Sequence, residues 1–277
     1  MTKWSTNICE TNGINLHYTR TGGDYPSVIL LHGLIGNGAC WSTVARSLEN
    51  EYNIIMPDAR GHGKSSVPQD GYLYEDHAKD IISLIKSLNL SAPILVGHSM
   101  GGMTAALVAS YNSKLLGGLV LLDPAFLSLK IQHEVYNSDV AKQHQQILNT
   151  SFDEEVTKAM NRGSHRSLEI IKLLAHARFE TSMNAFDVLT PPNPDYIELI
   201  SKIDIPSLLI IGDTGNVVSV ELAKEIQTTN SHFKIEQIKD AGHGIYYDQP
   251  KSVAVVIKSF LHSISTVIGQ KNLVKTN

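Results

Sequence analysis

The chain has 277 residues, of which 42% are apolar and 18% are charged, and its formal net charge at pH 7 is −4. This composition predicts one large globular domain with room for a smaller insertion, and it excludes an intrinsically disordered chain. Lys and Arg are scattered along the sequence rather than clustered, which argues against nucleic acid and against a membrane surface as partners. We therefore expect a small-molecule ligand.

The first residues contain no continuous apolar core followed by a small-residue cleavage site, so they lack the pattern of a secretory signal. Apolar runs elsewhere are much shorter than the ~20 residues that cross a bilayer. Cys9 and Cys40 are too few and too far apart for a disulfide framework or a zinc site. We expect a cytoplasmic protein with free, packed thiols, and the pattern carries no information on oligomeric state.

Residues 6–20 contain two extended segments around Asn12-Gly13, a dipeptide typical of a β-hairpin turn. After them come short apolar runs, which suit strands buried on both faces of a parallel sheet, separated by stretches with helical periodicity. This alternation predicts an α/β fold with helices on both faces of the sheet. Strands are predicted at 28–31, 53–56, 94–96, 119–122, 207–211 and 233–238, and helices at 41–48, 75–88, 220–227 and 252–262.

The alternation stops between residues 126 and 201, which are helical in pattern and contain no convincing strand. Pro124 and a proline-rich turn at 191–194 mark the two ends of this segment. We predict a helical cap at 126–201, inserted into a core formed by 1–125 and 202–277. Four of its side chains are candidates for binding a polar or anionic ligand, although such residues are more often solvated or locally paired: His144, His165, His176 and Arg178.

Gly97-His98-Ser99-Met100-Gly101 lies between the strand at 94–96 and a helix-like run that begins at Met100. A Gly-x-Ser-x-Gly turn in this position is the pattern of a nucleophile elbow, in which a strained backbone exposes the serine hydroxyl. Glycine is needed because a Cβ at either flank collides with neighbouring backbone. The pentapeptide also arises by chance, so its interpretation depends on the residues that would activate Ser99.

An exposed serine is a poor nucleophile until a base accepts its proton, and that base needs a carboxylate to orient it. His243 is the candidate base, because it follows the last predicted strand in Ala241-Gly-His-Gly244, where glycines let the loop return over the strand ends. Backbone N–H groups must also face the charge that develops on an acyl oxygen. The predicted donors are the amides of Leu34, just after the strand at 28–31, and of Met100.

These segments, together with Pro57-Asp-Ala-Arg-Gly-His-Gly-Lys-Ser65, resemble the α/β-hydrolase superfamily in order and spacing along nearly the whole chain. The resemblance implies an α/β-hydrolase fold, with a mostly parallel eight-stranded sheet, helices on both faces and an inserted helical cap. It also implies the acyl-transfer chemistry of a serine hydrolase. The histidines lack metal-ligand spacing, and we expect neither a metal nor a cofactor.

Two aspartates are candidates for the carboxylate that orients His243. Most members of the superfamily carry it after the strand that is here 207–211, in the form Gly-x-x-Asp, whereas this chain has Gly212-Asp-Thr-Gly215. Asp213 would serve only if the loop shifted by two residues, and a surface turn is its alternative. Asp123 directly follows the strand at 119–122 and is the preferred candidate, although Asp-Pro also commonly begins a cap.

Leu121-Leu-Asp-Pro124 and the acid-poor segment 215–219 sharpen this choice. Their combination resembles N-formylmaleamate deformylase and its relatives, which take the acid from the sixth strand of the sheet. The oxyanion segment and most of the cap depart from that pattern, so the substrate is not carried over by the resemblance.

The sequence thus predicts a cofactor-free serine hydrolase that cleaves a small ester or amide through an acyl-enzyme. A carbon–carbon bond hydrolase or a lactonase with the same triad is one alternative. Another is a binding protein on a hydrolase scaffold without catalysis, because a fold does not fix a function. The predicted roles are Ser99 as nucleophile, His243 as base and then acid, Asp123 as orienting acid, and the Leu34 and Met100 amides as oxyanion hole.

Overall fold

A computed structural model describes residues 4–161 and 166–274 of the chain. Its centre is an eight-stranded sheet with the order β1-β2-β4-β3-β5-β6-β7-β8. The pairs β1–β2 and β2–β4 are antiparallel and all other neighbours are parallel, which confirms the predicted mostly parallel sheet. The strands are β1 (Ser5–Thr11), β2 (Ile14–Arg20), β3 (Ser27–Leu31), β4 (Asn53–Pro57), β5 (Ile94–His98), β6 (Gly118–Leu122), β7 (Ser207–Ile211) and β8 (Phe233–Gln237).

The antiparallel start of the sheet is the predicted hairpin. Asn12 and Gly13 connect β1 to β2 with φ values of 44° and 78°, the left-handed pair that a two-residue type I′ turn requires. Asparagine and glycine are the residues that adopt this conformation at least cost, and the dipeptide therefore determines both the turn and the register of the two strands.

Helices follow most strands, and their boundaries differ from the predicted ones by a few residues except at the end of the last helix. The predicted helix at 41–48 is a 3₁₀ turn (Gly38–Trp41) followed by α1, and the last helix extends further than predicted at both ends. The helices are α1 (Ser42–Leu48), α2 (Tyr74–Ser87), α3 (Met100–Asn112), α4 (Leu129–Tyr136), α5 (Val140–Leu148), α6 (Phe152–Asn161), α7 (Leu168–Phe179), α8 (Tyr196–Lys202), α9 (Val220–Thr229), α10 (Ile245–Asp248) and α11 (Pro250–Val274).

Two hydrophobic cores lie on opposite faces of the sheet, because alternate side chains of each strand point to opposite sides. In β3, Val28 and Leu30 pack with α1 and α11, whereas Ile29 and Leu31 pack with α2, α3, α8 and α9. These four β3 side chains are at most 5% exposed, as expected for strands covered on both faces. Helices on both faces of the sheet are therefore confirmed.

The segment between β6 and β7 contains α4 to α8 and a 3₁₀ helix at Met183–Leu189. Its end α8 packs against α3, with Leu199 and Ile200 in the core on that face of the sheet. Loops after β3 and β4 hold the segment: Asn37 Nδ2 donates to Glu180 Oε2 at 2.8 Å, and Gly63 N–H donates to the Glu180 carbonyl at 2.9 Å. Among the described helices, none is both long and apolar enough to cross a bilayer.

Candidate active site

Ser99 occupies the sharp turn between β5 and α3, at the carboxyl end of the parallel strands. Its backbone has φ 51° and ψ −116°, a conformation that side-chain-bearing residues rarely adopt. The turn is tight: a Cβ on Gly97 would lie 2.2 Å from the Gly101 carbonyl oxygen, and a Cβ on Gly101 would lie 2.5 Å from the Leu31 carbonyl oxygen. Neither glycine position has room for a side chain, which is the geometry expected of a nucleophile elbow.

His243 lies in the loop between β8 and α10, and its ring reaches back to the elbow. The distance between His243 Nε2 and Ser99 Oγ is 3.0 Å, so the serine hydroxyl can donate its proton to this nitrogen. On the other side of the ring, Nδ1 lies 2.6 Å from Asp123 Oδ2. The structure therefore brings Ser99, His243 and Asp123 together in one hydrogen-bonded chain.

Asp123 follows β6 and its side chain is fully buried. Besides the His243 ring, its carboxylate accepts hydrogen bonds from the Val218 N–H at 2.8 Å and the Val217 N–H at 3.0 Å. Both amides belong to the loop that follows β7. A buried carboxylate is costly unless donors surround it, and these backbone groups together with the imidazole supply them.

Asp213 is not brought to His243. Its two carboxylate oxygens accept hydrogen bonds from the Asp240 N–H at 3.0 Å and the Ala241 N–H at 3.1 Å. These hydrogen bonds lower the pKa of the Asp213 carboxyl group below its usual value. The side chain thus ties the loop after β7 to the segment that leads into His243.

The loop after β3 passes directly beside the elbow. A Cβ on Gly33 would lie 3.2 Å from the Cβ of Ser99. The Gly33 carbonyl accepts hydrogen bonds from His32 Nδ1–H at 2.8 Å and from the Gly36 N–H at 3.0 Å. Because the C=O and N–H of one trans peptide point in opposite directions, the Leu34 N–H points away from these two donors.

Met100 provides the other predicted donor. It begins α3, so its N–H is one of the amides that a helix leaves without an internal partner, at the positive end of the helix dipole. A Cβ on Gly101 would also lie 2.6 Å from the His32 carbonyl oxygen, which shows how closely the first turn of α3 packs on the end of β3.

Two buried histidines at the site were not singled out in the sequence as functional. His32 Nε2 accepts a hydrogen bond from the Ala59 N–H at 2.9 Å, so both of its ring nitrogens are used. His98 Nε2–H donates to the His243 carbonyl at 2.7 Å. Burial lowers the pKa of both histidines, that of His98 well below its usual value, and both rings are neutral. The sequence signal that could have identified these two histidines is their position within the Leu-His-Gly and Gly-x-Ser-x-Gly patterns.

The candidate side chains of the predicted cap make local contacts. His144 is buried and donates from Nε2 to the Thr181 carbonyl at 3.0 Å, while the His176 ring lies 4.2 Å from that of Phe152. Arg178 forms an ion pair with the buried Glu155. His165 lies outside the described residues.

A cleft of about 580 Å³ is lined mostly by residues of this segment. Ile35, which follows Leu34 in the loop after β3, forms part of its wall, and Phe186 and Arg178 line it as well. Within the described ranges, no group of three or more His, Cys, Asp or Glu side chains is arranged to hold a metal ion.

Comparison with known proteins gives matches along most of the chain. The family model described as alpha/beta hydrolase fold matches residues 26–196. Human monoacylglycerol lipase ABHD6 is 26% identical over 274 residues, covering 91% of this chain and 80% of the relative.

Among solved structures, E-2-(acetamidomethylene)succinate hydrolase superposes with a TM-score of 0.81 at 20% identity, covering 94% of this chain and 100% of that one. The N-formylmaleamic acid deformylase of Pseudomonas putida S16 superposes with a TM-score of 0.75 at 19% identity, covering 92% and 100%. At these identities the superpositions show a shared fold. The family match over more than half of the sequence and the curated relatives show that this chain is a hydrolase that belongs to the α/β-hydrolase family.

Proposed function

We propose that the protein is a cofactor-free serine hydrolase that cleaves a small ester or amide by acyl transfer to water. The observation that carries the proposal is the unbroken chain of contacts from Ser99 Oγ to His243 Nε2 at 3.0 Å and from His243 Nδ1 to Asp123 Oδ2 at 2.6 Å. Such a chain supplies a nucleophile, a base and a group that fixes the tautomer of the base.

In the proposed reaction Ser99 Oγ attacks the acyl carbon while His243 Nε2 accepts the hydroxyl proton. Asp123 stabilises the resulting imidazolium through the hydrogen bond at Nδ1. The Leu34 and Met100 N–H groups stabilise the charge on the acyl oxygen. The proton then passes to the departing alcohol or amine, and a water molecule repeats the sequence to release the acid from Ser99.

The proposed substrate is small and has both apolar and polar parts. The cleft of about 580 Å³ near the oxyanion loop has apolar walls from Ile35, Ile147 and Phe186, and charged walls that include Glu155 and Lys158. A lining of this kind suits a molecule with a carbonyl at one end and a polar group at the other. We further propose that 126–201 acts as the cap that encloses such a substrate.

Labelling with a fluorophosphonate probe tests the proposal without a known substrate. The wild type is expected to be labelled stoichiometrically at Ser99, with no label on folded Ser99→Ala. Turnover of any substrate found should fall about 10⁶-fold in Ser99→Ala, as expected when the nucleophile of a triad is removed. Folded wild-type protein that resists the probe would instead favour a non-catalytic binding protein.

A panel of short esters, formyl amides, lactones and carbon–carbon bond substrates then identifies the reaction. The same triad serves carbon–carbon bond hydrolysis and lactone opening, so the proposal requires that esters or amides be turned over faster than either. The measured quantity is kcat/KM for each class, with Ser99→Ala as the background.

A further inference from the structure

His98 joins the two parts of the chain that carry the candidate nucleophile and base. It is the last residue of β5, is 4% exposed and immediately precedes Ser99. From there its Nε2–H donates to the backbone carbonyl of His243 at 2.7 Å, across 145 residues of sequence. The elbow and the His243 loop are thus connected through the main chain of the base itself.

The His98 ring also contacts the loop that carries Leu34. A Cβ on Gly33 would lie 2.9 Å from His98 Nδ1, so the ring fills the space between that loop and the elbow. Within the described part of the chain, Nδ1 has no hydrogen-bond partner. The hydrogen bond of the ring to the rest of the site is therefore the one that Nε2–H donates.

Further hydrogen bonds in the His243 loop are made by the backbone of the residues on either side of His243. Gly242 N–H donates to Asp248 Oδ2 at 3.1 Å, and Gly244 accepts from the Tyr247 N–H at 2.8 Å. Glycine on both sides gives this segment unusual conformational freedom. The hydrogen bond from His98 therefore acts at the residue where backbone movement would displace the imidazole.

The ring is suited to this place because it is neutral. Its centroid lies 4.8 Å from that of His243, which becomes an imidazolium in the proposed reaction. A charged side chain with the same hydrogen bond, such as lysine, would oppose that imidazolium at short distance. Neutral His98 supplies the N–H without adding positive charge.

We propose that His98 is a positioning residue, which fixes the backbone of His243 so that Nε2 stays within hydrogen-bonding distance of Ser99. The proposal rests on the proposed function, because it assigns His98 to the reactivity of Ser99 through His243. A displacement of about 1 Å at a base can reduce a rate ~100-fold, so a modest loosening of this loop has a measurable effect.

Saturation kinetics of fluorophosphonate labelling test this on His98→Leu and His98→Gln. Leucine fills a similar volume without a donor, whereas glutamine can place an amide N–H near the position of Nε2. We expect leucine to lower the maximal labelling rate between ~10-fold and ~100-fold, with the probe's half-saturation concentration within about 3-fold of wild type. Glutamine is expected to recover most of that rate.

His77→Leu is the matched control. His77 is also buried and neutral, hydrogen-bonds to the backbone of Tyr72, and leaves Nε2 without a partner in the part of the chain that the structure describes. It lies on α2, outside the triad. Its replacement should lower the melting temperature while the labelling rate of the folded protein stays within about 3-fold of wild type.

The outcomes distinguish a positioning role of His98 from a purely structural one. Equal labelling rates for His98→Leu and His98→Gln, or a loss in His98→Leu that His77→Leu matches, would overturn the positioning role. A loss confined to the half-saturation concentration would overturn it as well. Folded wild-type protein that is not labelled would refute the proposed function, and this inference would fail with it. That result is distinct from the others because it is seen in the wild type alone, without any variant.

Discussion

Replacing Asp123 by asparagine gives the sharpest test of the site. Its carboxylate accepts three hydrogen bonds, from the amides of Val217 and Val218 and from His243 Nδ1. An asparagine of the same shape has one acceptor oxygen and one NH₂ group. Since all three partners are donors in the wild type, the NH₂ must face at least one of them.

If the NH₂ replaces Oδ2, it faces both His243 Nδ1 and the Val217 N–H, and the ring takes the other tautomer, with Nδ1 as acceptor and the proton on Nε2. Nε2 then cannot accept the proton of Ser99. A change of this kind lowers turnover by about 10⁴-fold in serine proteases, which corresponds to about 5.4 kcal/mol of transition-state stabilisation. If the NH₂ replaces Oδ1 instead, the buried Val218 N–H loses its acceptor, at a cost of about 1–3 kcal/mol of folding stability.

The assay is the rate of fluorophosphonate labelling at neutral pH, with urea unfolding of the same samples. Asp213→Asn is the matched variant, because it makes the same chemical change at the other candidate. An asparagine oxygen there can still accept from the Asp240 or Ala241 N–H, and we expect labelling within about 5-fold of wild type. A loss of about a thousandfold in Asp213→Asn, with Asp123→Asn nearly unaffected, would refute the assignment of the acid.

Three further results are expected. Gly97→Ala should prevent folding or abolish labelling, because its Cβ would lie 2.2 Å from the Gly101 carbonyl oxygen; soluble, fully labelled protein would contradict this. Burial raises the pKa of Asp58, but its hydrogen bonds outweigh burial and lower the pKa overall, so Asp58→Asn should reduce the free energy of unfolding at pH 7. Urea titrations should show that the difference between wild type and variant shrinks as the pH falls through the lowered pKa of Asp58. Arg178→Met should lower the free energy of unfolding by about 3 kcal/mol, since it leaves buried Glu155 unpaired, and adding Glu155→Gln should restore part of that loss in the same titration.

Much of the fold follows from local patterns. The hairpin at Asn12-Gly13, the apolar strands and the alternation with helices depend on neighbouring residues, and the structure confirms them. The turn at Ser99 is local in part, because a Cβ on Gly97 would meet the carbonyl of Gly101 within the same turn, whereas a Cβ on Gly101 would meet the carbonyl of Leu31 at the end of β3. Helix ends were less predictable, since α11 begins at a proline within a loop-like segment and the first turn of the helix at 41–48 is 3₁₀.

The partners of the buried polar groups could not be predicted in this way. His98 meets His243 only because β5 and the loop after β8 end at the same edge of the sheet. Nothing near position 98 in the sequence encodes that contact. The same applies to the choice between Asp123 and Asp213, which depends on where the amides of the loop after β7 point.

The loop after β7 explains how the acid can come from β6. At the place where the superfamily pattern has aspartate, this loop has Gly215, yet it contributes two backbone N–H groups to Asp123. Without such donors a fully buried carboxylate would carry a large desolvation cost. Through Asp213 the same loop also holds the segment that leads to His243. It thus fixes the proposed acid from one side and the proposed base from the other, although neither side chain belongs to it.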